Sequence, residues 1–405
     1  MTSMQLIVFS ALRTLSHTLI PVVLCLTCAF SWAKSPTAVY HPTVTTVRAT
    51  ALEKQVIDAV KKMFNTGDRP PLALDRRLVD AAHYVLGGTR PIRNALMAAG
   101  LSDSFVLPVQ YTIVALGGDI DPIERVRSLL ETDVKTAHVT HFGVGIAPED
   151  ARWRVVLVFV RRRVSLSTFP KRLRMGERFL LNGNLDRDLI QPIVLVATPT
   201  GDVREQTPRV QHGAFWTMVP FDAGEGRYII EVQAKDAYGE QVLSLLEVYV
   251  DDGEGSIEVP VTRLAPSIPP PATVEEAELR AMALINRVRR QAGLIPLRNG
   301  VVLQQEARRH VQDMSARGYF GHVSPRRGNL ARRLQSCGLQ GIPAGENIAV
   351  APTPEAAHAE LIRSPSHFRN MLDPNVTHVG VGAHRRVVGD STVYTFSQIF
   401  ASFRH

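Results

Sequence analysis

The sequence predicts an α+β protein in which two related α+β units flank an all-β domain. Two observations indicate the duplication, and the order of helices and strands within each unit indicates the α+β class. A heptapeptide occurs twice, as VTHFGVG at 139–145 and VTHVGVG at 376–382, and a second pair of similar segments recurs at nearly the same spacing. A third observation, the β-rich sequence between the copies, predicts the middle domain. The chain has 405 residues, enough for two or three domains.

The second pair of similar segments is helical in character. IRNALMAAGLS at 92–102 aligns without gaps with LARRLQSCGLQ at 330–340. The offset is 330 − 92 = 238 positions for this pair and 376 − 139 = 237 positions for the heptapeptides. Matches at nearly one offset indicate duplicated units.

The two units also share predicted elements at both ends. Apolar spacing predicts helix, loop and helix over residues 51–85 and again over 277–311. After each GVG comes a strand-like run, RWRVVLVFV at 152–160 and STVYTFSQIF at 391–400. Helices followed by strands are typical of the α+β class.

Residues 165–252 are predicted to form a β-sandwich domain of immunoglobulin-like type. Short β-rich runs such as PIVLVATPTGDV and GRYIIEVQAKDAYGEQ alternate with Gly, Pro and Asp. The segment lacks the cysteine pair of antibody domains. Residues 253–274 are acidic and then proline-rich, which predicts a linker.

The first 33 residues have the pattern of an export signal. Arg13 precedes the apolar run LIPVVLCLTCAF, and SWA ends at Ala33 with small residues where cleavage requires them. Because no other segment reaches about 18 apolar residues, we expect a secreted or periplasmic protein without a stable transmembrane span after cleavage. An uncleaved anchor is the alternative.

Only Cys337 would remain in the mature chain, which excludes an internal disulfide.

The formal net charge of +8 would permit an anionic partner. The basic residues are scattered along the chain, so we expect mostly solvated surface and no nucleic-acid partner. The sequence does not predict an oligomeric state.

Three motifs of the second copy carry residues able to bind metals or move protons. They are YFGHVSP at 319–325, AGENIA at 344–349 and SPSHFRNML at 364–372, followed by LDPNVTHVGVG. In this order they resemble the bacterial CAP superfamily of SCP-like or YkwD-like extracellular domains, which includes cysteine-rich secretory proteins, antigen 5 and class 1 pathogenesis-related proteins. The resemblance covers residues 275–405. It implies an α-β-α sandwich with a groove that holds two histidines and usually two acidic residues.

The resemblance places three residues in that groove, His322, Glu346 and His367, and implies that they can bind a divalent metal. Ser364 falls about where the fourth, acidic residue of the resembling domains would be, and Glu360 is the nearby acidic candidate. Two imidazoles and one carboxylate are a workable ligand set for zinc with an open water position. Spacing alone would leave these residues as unrelated surface side chains.

The first copy lacks all three of these residues. The loop with GHVSP is missing, counting from Gly100 puts Pro108 or Val109 opposite Glu346, and counting back from Gly143 puts Leu130 opposite His367. Residues 45–164 are therefore interpreted as a degenerate CAP-like domain with a structural or binding role.

The leading functional hypothesis is an exported CAP-domain protein of the envelope or exterior. Its groove would bind a lipid, glycan or peptide, with an optional divalent metal at His322, Glu346 and His367. One alternative is a metal-dependent hydrolase of peptide or cell-wall bonds, in which Glu346 binds the metal or acts as general base. Another is adhesion through the β-sandwich. The fold alone does not decide among them.

Overall fold

The computed structural model describes residues 39–40, 47–64, 71–86, 110–116, 123–124, 126–127, 130, 139–149, 152–251, 270–388 and 391–403. The predicted signal, the repeat segment 92–102 and most of the predicted linker lie outside these residues. Within the described part, no helix has the length and apolar character needed to cross a membrane.

The helices are α1 (Ala51–Phe64), α2 (Arg76–Leu86), α3 (Val274–Gln291), α4 (Val301–Arg317), α5 (Leu330–Gln335), α6 (Pro354–Leu361) and α7 (Pro365–Leu372). The strands are β1 (Val39–Tyr40), β2 (Ala73–Leu74), β3 (Gln110–Leu116), β4 (His141–Glu149), β5 (Arg152–Val160), β6 (Val164–Leu166), β7 (Phe169–Pro170), β8 (Arg172–Leu173), β9 (Arg178–Leu185), β10 (Ile190–Ala197), β11 (Val203–Gln206), β12 (Arg209–Gln211), β13 (Ala214–Pro220), β14 (Gly226–Asp236), β15 (Gly239–Val250), β16 (Arg298–Asn299), β17 (Ala344–Ala351), β18 (His378–Val388) and β19 (Ser391–Ala401). Mixed helices and sheets confirm the α+β class.

The C-terminal unit, described over residues 270–388 and 391–403, is built on a sheet of order β16-β18-β19-β17. Successive residues of a strand point to opposite faces of its sheet. On β18, Val379 and Val381 pack against α3, α6 and α7, whereas the glycines between and after them face α4. Helices therefore cover both faces of this sheet.

The recurring heptapeptide is explained by close packing of a helix on a strand. A Cβ atom on Gly380 would lie 2.2 Å from the backbone of Leu303 in α4. A Cβ atom on Gly143, the matching glycine of the first copy, would lie 2.2 Å from the backbone of Leu78 in α2. Only glycine permits such an approach, so the heptapeptide has the same packing role in both places.

The N-terminal unit, described in parts between residues 47 and 160, has a sheet of order β2-β4-β5-β3. Helix α1 packs its buried face, which includes Val56 and Val60, on one side of the sheet. Helix α2 packs Leu78, Ala81 and Ala82 on the other side. The described part of this unit thus has helices on both faces of its sheet.

The segment from Val164 to Val250 forms two sheets that share one apolar core; we call it the β-domain. One sheet has the order β11-β10-β14-β15-β8 and the other β12-β13-β9-β6. Phe215 and Phe221 are fully buried between them. Strand β1 joins this domain, because Tyr40 lies in the same core and its hydroxyl donates a hydrogen bond to the carbonyl oxygen of Glu247, 3.1 Å away.

His358 is buried in α6. The helix turns this side chain inward together with Ala357 and Leu361. Burial, with a smaller contribution from the charge of Arg287, lowers the pKa of His358 to about 4. The imidazole is therefore neutral in the folded protein at neutral pH.

Gly380→Ala should destabilise the protein by roughly 3 kcal/mol, the upper range for overpacking, because the added methyl group meets backbone that cannot turn away. Gly341→Ala is the control. Its backbone has a positive φ of 64°, unlike that of Gly380, but a Cβ atom there meets nothing within 4 Å, so only about 1 kcal/mol of conformational strain is expected. Urea unfolding measures both, and equal losses would contradict the packing account.

The buried His358 should make stability depend on pH. Its folded-state pKa of about 4 lies below the ordinary value of 6.5, so its contribution is complete above pH 6.5 and is lost as the pH falls towards 4. Between pH 6.5 and 5 the loss is about 2 kcal/mol. Urea unfolding at pH 7, 6 and 5 should show a shallower decline for His358→Gln than for the natural chain. Parallel declines would contradict a neutral buried imidazole.

Candidate functional site

Three elements of the C-terminal unit bring the predicted site residues towards one place. Glu346 is on β17, opposite Ile399 of β19. His322 lies in the loop between α4 and α5, and His367 is in the first turn of α7. Pro365 occupies the first turn of α7 and Ser364 its N-cap.

Glu346 is buried and both of its carboxylate oxygens are engaged. Oε2 accepts hydrogen bonds from Arg333 at 2.9 Å and from Nδ1 of His322 at 3.0 Å, and Oε1 accepts one from Ser397 at 2.8 Å. Burial raises the pKa of Glu346, but the charge of Arg333 and the hydrogen bond from His322 outweigh it and hold the pKa well below its usual range. The carboxylate is therefore ionised.

The loop that carries His322 is fixed from both sides. Arg333 donates a second hydrogen bond, 3.2 Å long, to the carbonyl oxygen of His322. Ser324 donates to Asp313 at 2.7 Å, which anchors the end of the loop to α4. Ring nitrogen Nε2 of His310 lies 2.9 Å from the carbonyl oxygen of Gly321. The side chain of His322 keeps 23% of its surface exposed. The imidazole is therefore fixed in position and still accessible to solvent.

His367 is half-buried and has a strongly altered pKa. Burial, and after it the charge of His322, lowers its pKa to about 3. Its Nδ1 lies 2.7 Å from the hydroxyl oxygen of Ser364. The backbone carbonyl of His367 accepts a hydrogen bond from Asn347, the residue after Glu346, at 3.0 Å. This bond ties the first turn of α7 to β17.

Sequence reasoning missed three residues of this arrangement, His310, Arg333 and Ser397. We call them, together with His322, Glu346 and His367, the polar cluster. Arg333 has no exposed surface and forms ion pairs with both Glu346 and Glu306. The one feature of the sequence that could have indicated its role is the helical spacing, which puts Arg333 on the inward face of α5. The spacing does not show that the arginine is fully buried or which carboxylates it pairs with.

The β-domain reaches the edge of the polar cluster. The turn between β14 and β15 lies on the His322 loop, where the carbonyl oxygen of Tyr238 accepts a hydrogen bond from the backbone N–H of Val323 at 2.8 Å. The ring of Tyr238 stacks on Tyr319 with centroids 5.3 Å apart. Glu231 of β14 accepts a hydrogen bond from Ser364. Two domains therefore surround the cluster.

The arrangement does not fit a three-ligand metal site as it stands. Oε2 of Glu346 already accepts from a guanidinium, and a cation there would be repelled by Arg333. Among the described residues, no three side chains of the His, Cys, Asp or Glu types are grouped to hold a metal ion. A metal could use Glu346 only after Arg333 had moved away.

The other residues named from the sequence have different surroundings. Glu360 is half-buried near the end of α6, and its membership of the site stays a prediction. Leu130, the counted counterpart of His367 in the first copy, is buried in the apolar core of the N-terminal unit. Strand pairing places Tyr111, not Pro108 or Val109, at the register of Glu346, because Tyr111 pairs with Val158 as Glu346 pairs with Ile399.

Two curated proteins of Bacillus subtilis (strain 168) are similar to the C-terminal part of the chain. The uncharacterized protein YkwD is 39% identical over 113 residues, which are 28% of this chain and 44% of YkwD. The uncharacterized membrane protein YlbC is 33% identical over 111 residues, 27% of this chain and 32% of YlbC. The chain thus spans less than half the length of either relative.

Two bacterial proteins are among the solved structures to which this chain was matched. One is an extracellular protein containing a SCP domain from Bacillus anthracis, with 18% identity over 64% of this chain and 88% of that one, at a TM-score of 0.28. The other is a cysteine-rich secretory protein from Staphylococcus aureus, with 13% identity over 65% of this chain and 85% of that one, also at 0.28.

The sequence profile of the cysteine-rich secretory protein family, CAP, matches residues 282–400. This range contains His322, Glu346 and His367 and lies within the segment for which the sequence predicted the resemblance. The C-terminal part of this chain is therefore a CAP-family domain and a homologue of YkwD.

Proposed function

We propose that this chain is an exported protein of the cell envelope or exterior whose CAP domain binds a lipid, glycan or peptide beside His322 and His367. The observation that carries the proposal is the proximity of these two histidines, which are 45 positions apart in sequence (367 − 322). The charge of His322 acts on His367, and Nδ1 of His322 lies 3.0 Å from the ionised carboxylate of Glu346. Export rests on residues 1–33, which lie outside the described residues, and stays a prediction.

The polar cluster is suited to orienting imidazoles towards a ligand. A carboxylate only accepts hydrogen bonds, so Nδ1 of His322 carries the proton of its bond with Glu346. In the neutral ring, Nε2 of His322 is then the acceptor that faces away from the carboxylate. With the pKa of His367 at about 3, this second ring is neutral at neutral pH. Such a site favours uncharged polar donors, such as the hydroxyl groups of a glycan or lipid head or the amides of a peptide.

A metal-dependent hydrolase is the less favoured alternative. A general base works best when its pKa lies near the working pH, and Glu346 is held far below that range by Arg333 and His322. Both of its oxygens are also engaged in hydrogen bonds. Zinc at His322 and His367 stays a prediction, for which Glu346 would have to exchange Arg333 for the ion.

We also propose that the N-terminal unit is a degenerate CAP-like copy with a structural role. Its support is a set of matching contacts. Glu53 in α1 accepts a hydrogen bond from the backbone N–H of Ile146 at 3.3 Å and pairs with His83 of α2 at 2.8 Å. The C-terminal unit has the same two contacts at the corresponding positions. Glu278 in α3 accepts a hydrogen bond from the backbone N–H of Ala383 at 3.0 Å and pairs with Arg308 of α4.

The β-domain has the two-sheet arrangement that an immunoglobulin-like sandwich requires, and we propose that assignment for it. We infer that the β-domain takes part in forming the binding site, because it contacts the CAP domain beside the polar cluster. Besides the Tyr238 turn, Glu247 of β15 pairs with Arg363 just before α7. The CAP domain therefore does not present its histidines alone, and adhesion through a separate β-domain is not needed to explain the architecture.

Binding by the mature chain is tested with three probes, phosphatidylglycerol vesicles, a soluble peptidoglycan fragment and an unmodified peptide. Calorimetry is run once with EDTA and once with zinc. One probe should bind, and His322→Ala should weaken it about tenfold, the loss expected for one hydrogen bond. His384→Ala, a histidine of β18 outside the polar cluster, should leave binding unchanged. Binding of none of the probes, or equal loss in both variants, would contradict the proposal.

A further inference from the structure

Glu231 is a buried carboxylate of the β-domain that faces the CAP domain. It lies in the interior of β14, where it pairs with Leu195 and Leu245 of the neighbouring strands, and it has no exposed surface. A side-chain carboxylate in this position loses its water, which costs several kcal/mol unless other groups replace the lost hydrogen bonds. Its partners therefore identify what the position is used for.

The partners of Glu231 are neutral and come mainly from the CAP domain. Ser364 donates a hydrogen bond to Oε2, and Gln233 donates one to Oε1 at 2.7 Å. Ser366 adds hydrogen bonds from its hydroxyl and its backbone N–H. Within the described part of the chain, no ion pair involves Glu231. Glu247 on the next strand differs, because it pairs with Arg363 and Arg227.

Ser364 connects this carboxylate to His367. The residue is the N-cap of α7, yet its hydroxyl makes no capping hydrogen bond to the helix, although that is the usual role of a serine there. Its oxygen instead lies between Glu231 and Nδ1 of His367, 2.7 Å from the latter. Burial raises the pKa of Glu231, but the hydrogen bonds that Ser364, Ser366 and Gln233 donate to it favour its ionised form. An ionised carboxylate can only accept hydrogen bonds, and the hydroxyl of Ser364 has a single proton to donate. When that proton goes to Glu231, the same oxygen must accept from Nδ1–H of His367.

We propose that Glu231 is a positioning residue for His367, acting through Ser364 across the interface between the β-domain and the CAP domain. The carboxylate orients the serine hydroxyl, and the hydroxyl holds His367 in the tautomer with the proton on Nδ1. The opposite nitrogen, Nε2, is then an acceptor. Outer hydrogen bonds of this kind fix ring orientation and tautomer in many histidine sites.

This relay accounts for the acidic position that the sequence left open. Ser364 stands about where the acid of the resembling domains is expected, and the carboxylate reaches it from another domain. The binding site is therefore composite, and the β-domain is part of it. The inference rests on the proposed function only for the statement that His367 contacts ligand, because the tautomer itself is a property of the chain without ligand.

The test is histidine-selective ¹⁵N NMR of the full mature chain without ligand, which distinguishes the two tautomers by the chemical shifts of the ring nitrogens. The natural chain should show His367 with its proton on Nδ1. Glu231→Leu should shift the ring towards a mixture with the Nε2–H form, because the hydroxyl proton of Ser364 becomes free to point at Nδ1. Ser364→Ala should have the same effect, and it tests the relay even if Glu231→Leu fails to fold.

Glu247→Leu is the matched control, since it removes a buried carboxylate from the same domain interface without touching Ser364. It should leave the tautomer of His367 unchanged. The proposal is overturned if the natural chain already has the Nε2–H form, if Ser364→Ala leaves His367 unchanged, or if Glu247→Leu shifts it as much as Glu231→Leu. Failure of all three binding probes would overturn the proposed function and leave this result standing.

Discussion

The buried ion pair between Glu346 and Arg333 is the constraint on which the rest of the site depends. It connects β17 to α5, and Arg333 also donates to the carbonyl oxygen of His322. A buried charge without its partner costs several kcal/mol, so strand, helix and loop have to keep this arrangement together. Both carboxylate oxygens of Glu346 are engaged in hydrogen bonds, one of them from the imidazole of His322. The proposal of ligand binding rather than hydrolysis rests on this engaged carboxylate.

The N-terminal unit and the CAP domain share some interactions and differ in others, and the differences indicate separate roles. Both units have a helix packed on glycines of a strand, and both have a buried glutamate that accepts from the backbone of that strand. Only the CAP domain adds the loop with His322 and the buried Glu346 on the edge strand. The shared contacts maintain the scaffold, while the polar cluster and the proposed Ser364 relay belong to the C-terminal unit.

Much of the scaffold could be predicted from the sequence, since helical and strand periodicities are local. The helix, loop and helix predicted over 277–311 and the strand-like run at 391–400 are examples, because α3, α4 and β19 lie there. The partners of the site residues could not be predicted. Arg333 and Glu231 are charged residues on elements that look ordinary in sequence, and their roles arise from burial against segments 13 and 133 positions away.

A double-mutant cycle on Arg333 and Glu346, followed by urea unfolding, tests the central claim most directly. Arg333→Met and Glu346→Gln should each destabilise the chain by roughly 3–5 kcal/mol, because each leaves a buried partner without its counterpart. The double variant should be more stable than the sum of the single losses implies, by about 1 kcal/mol or more. If the two losses simply add, the buried pair does not hold the site together and the account is contradicted.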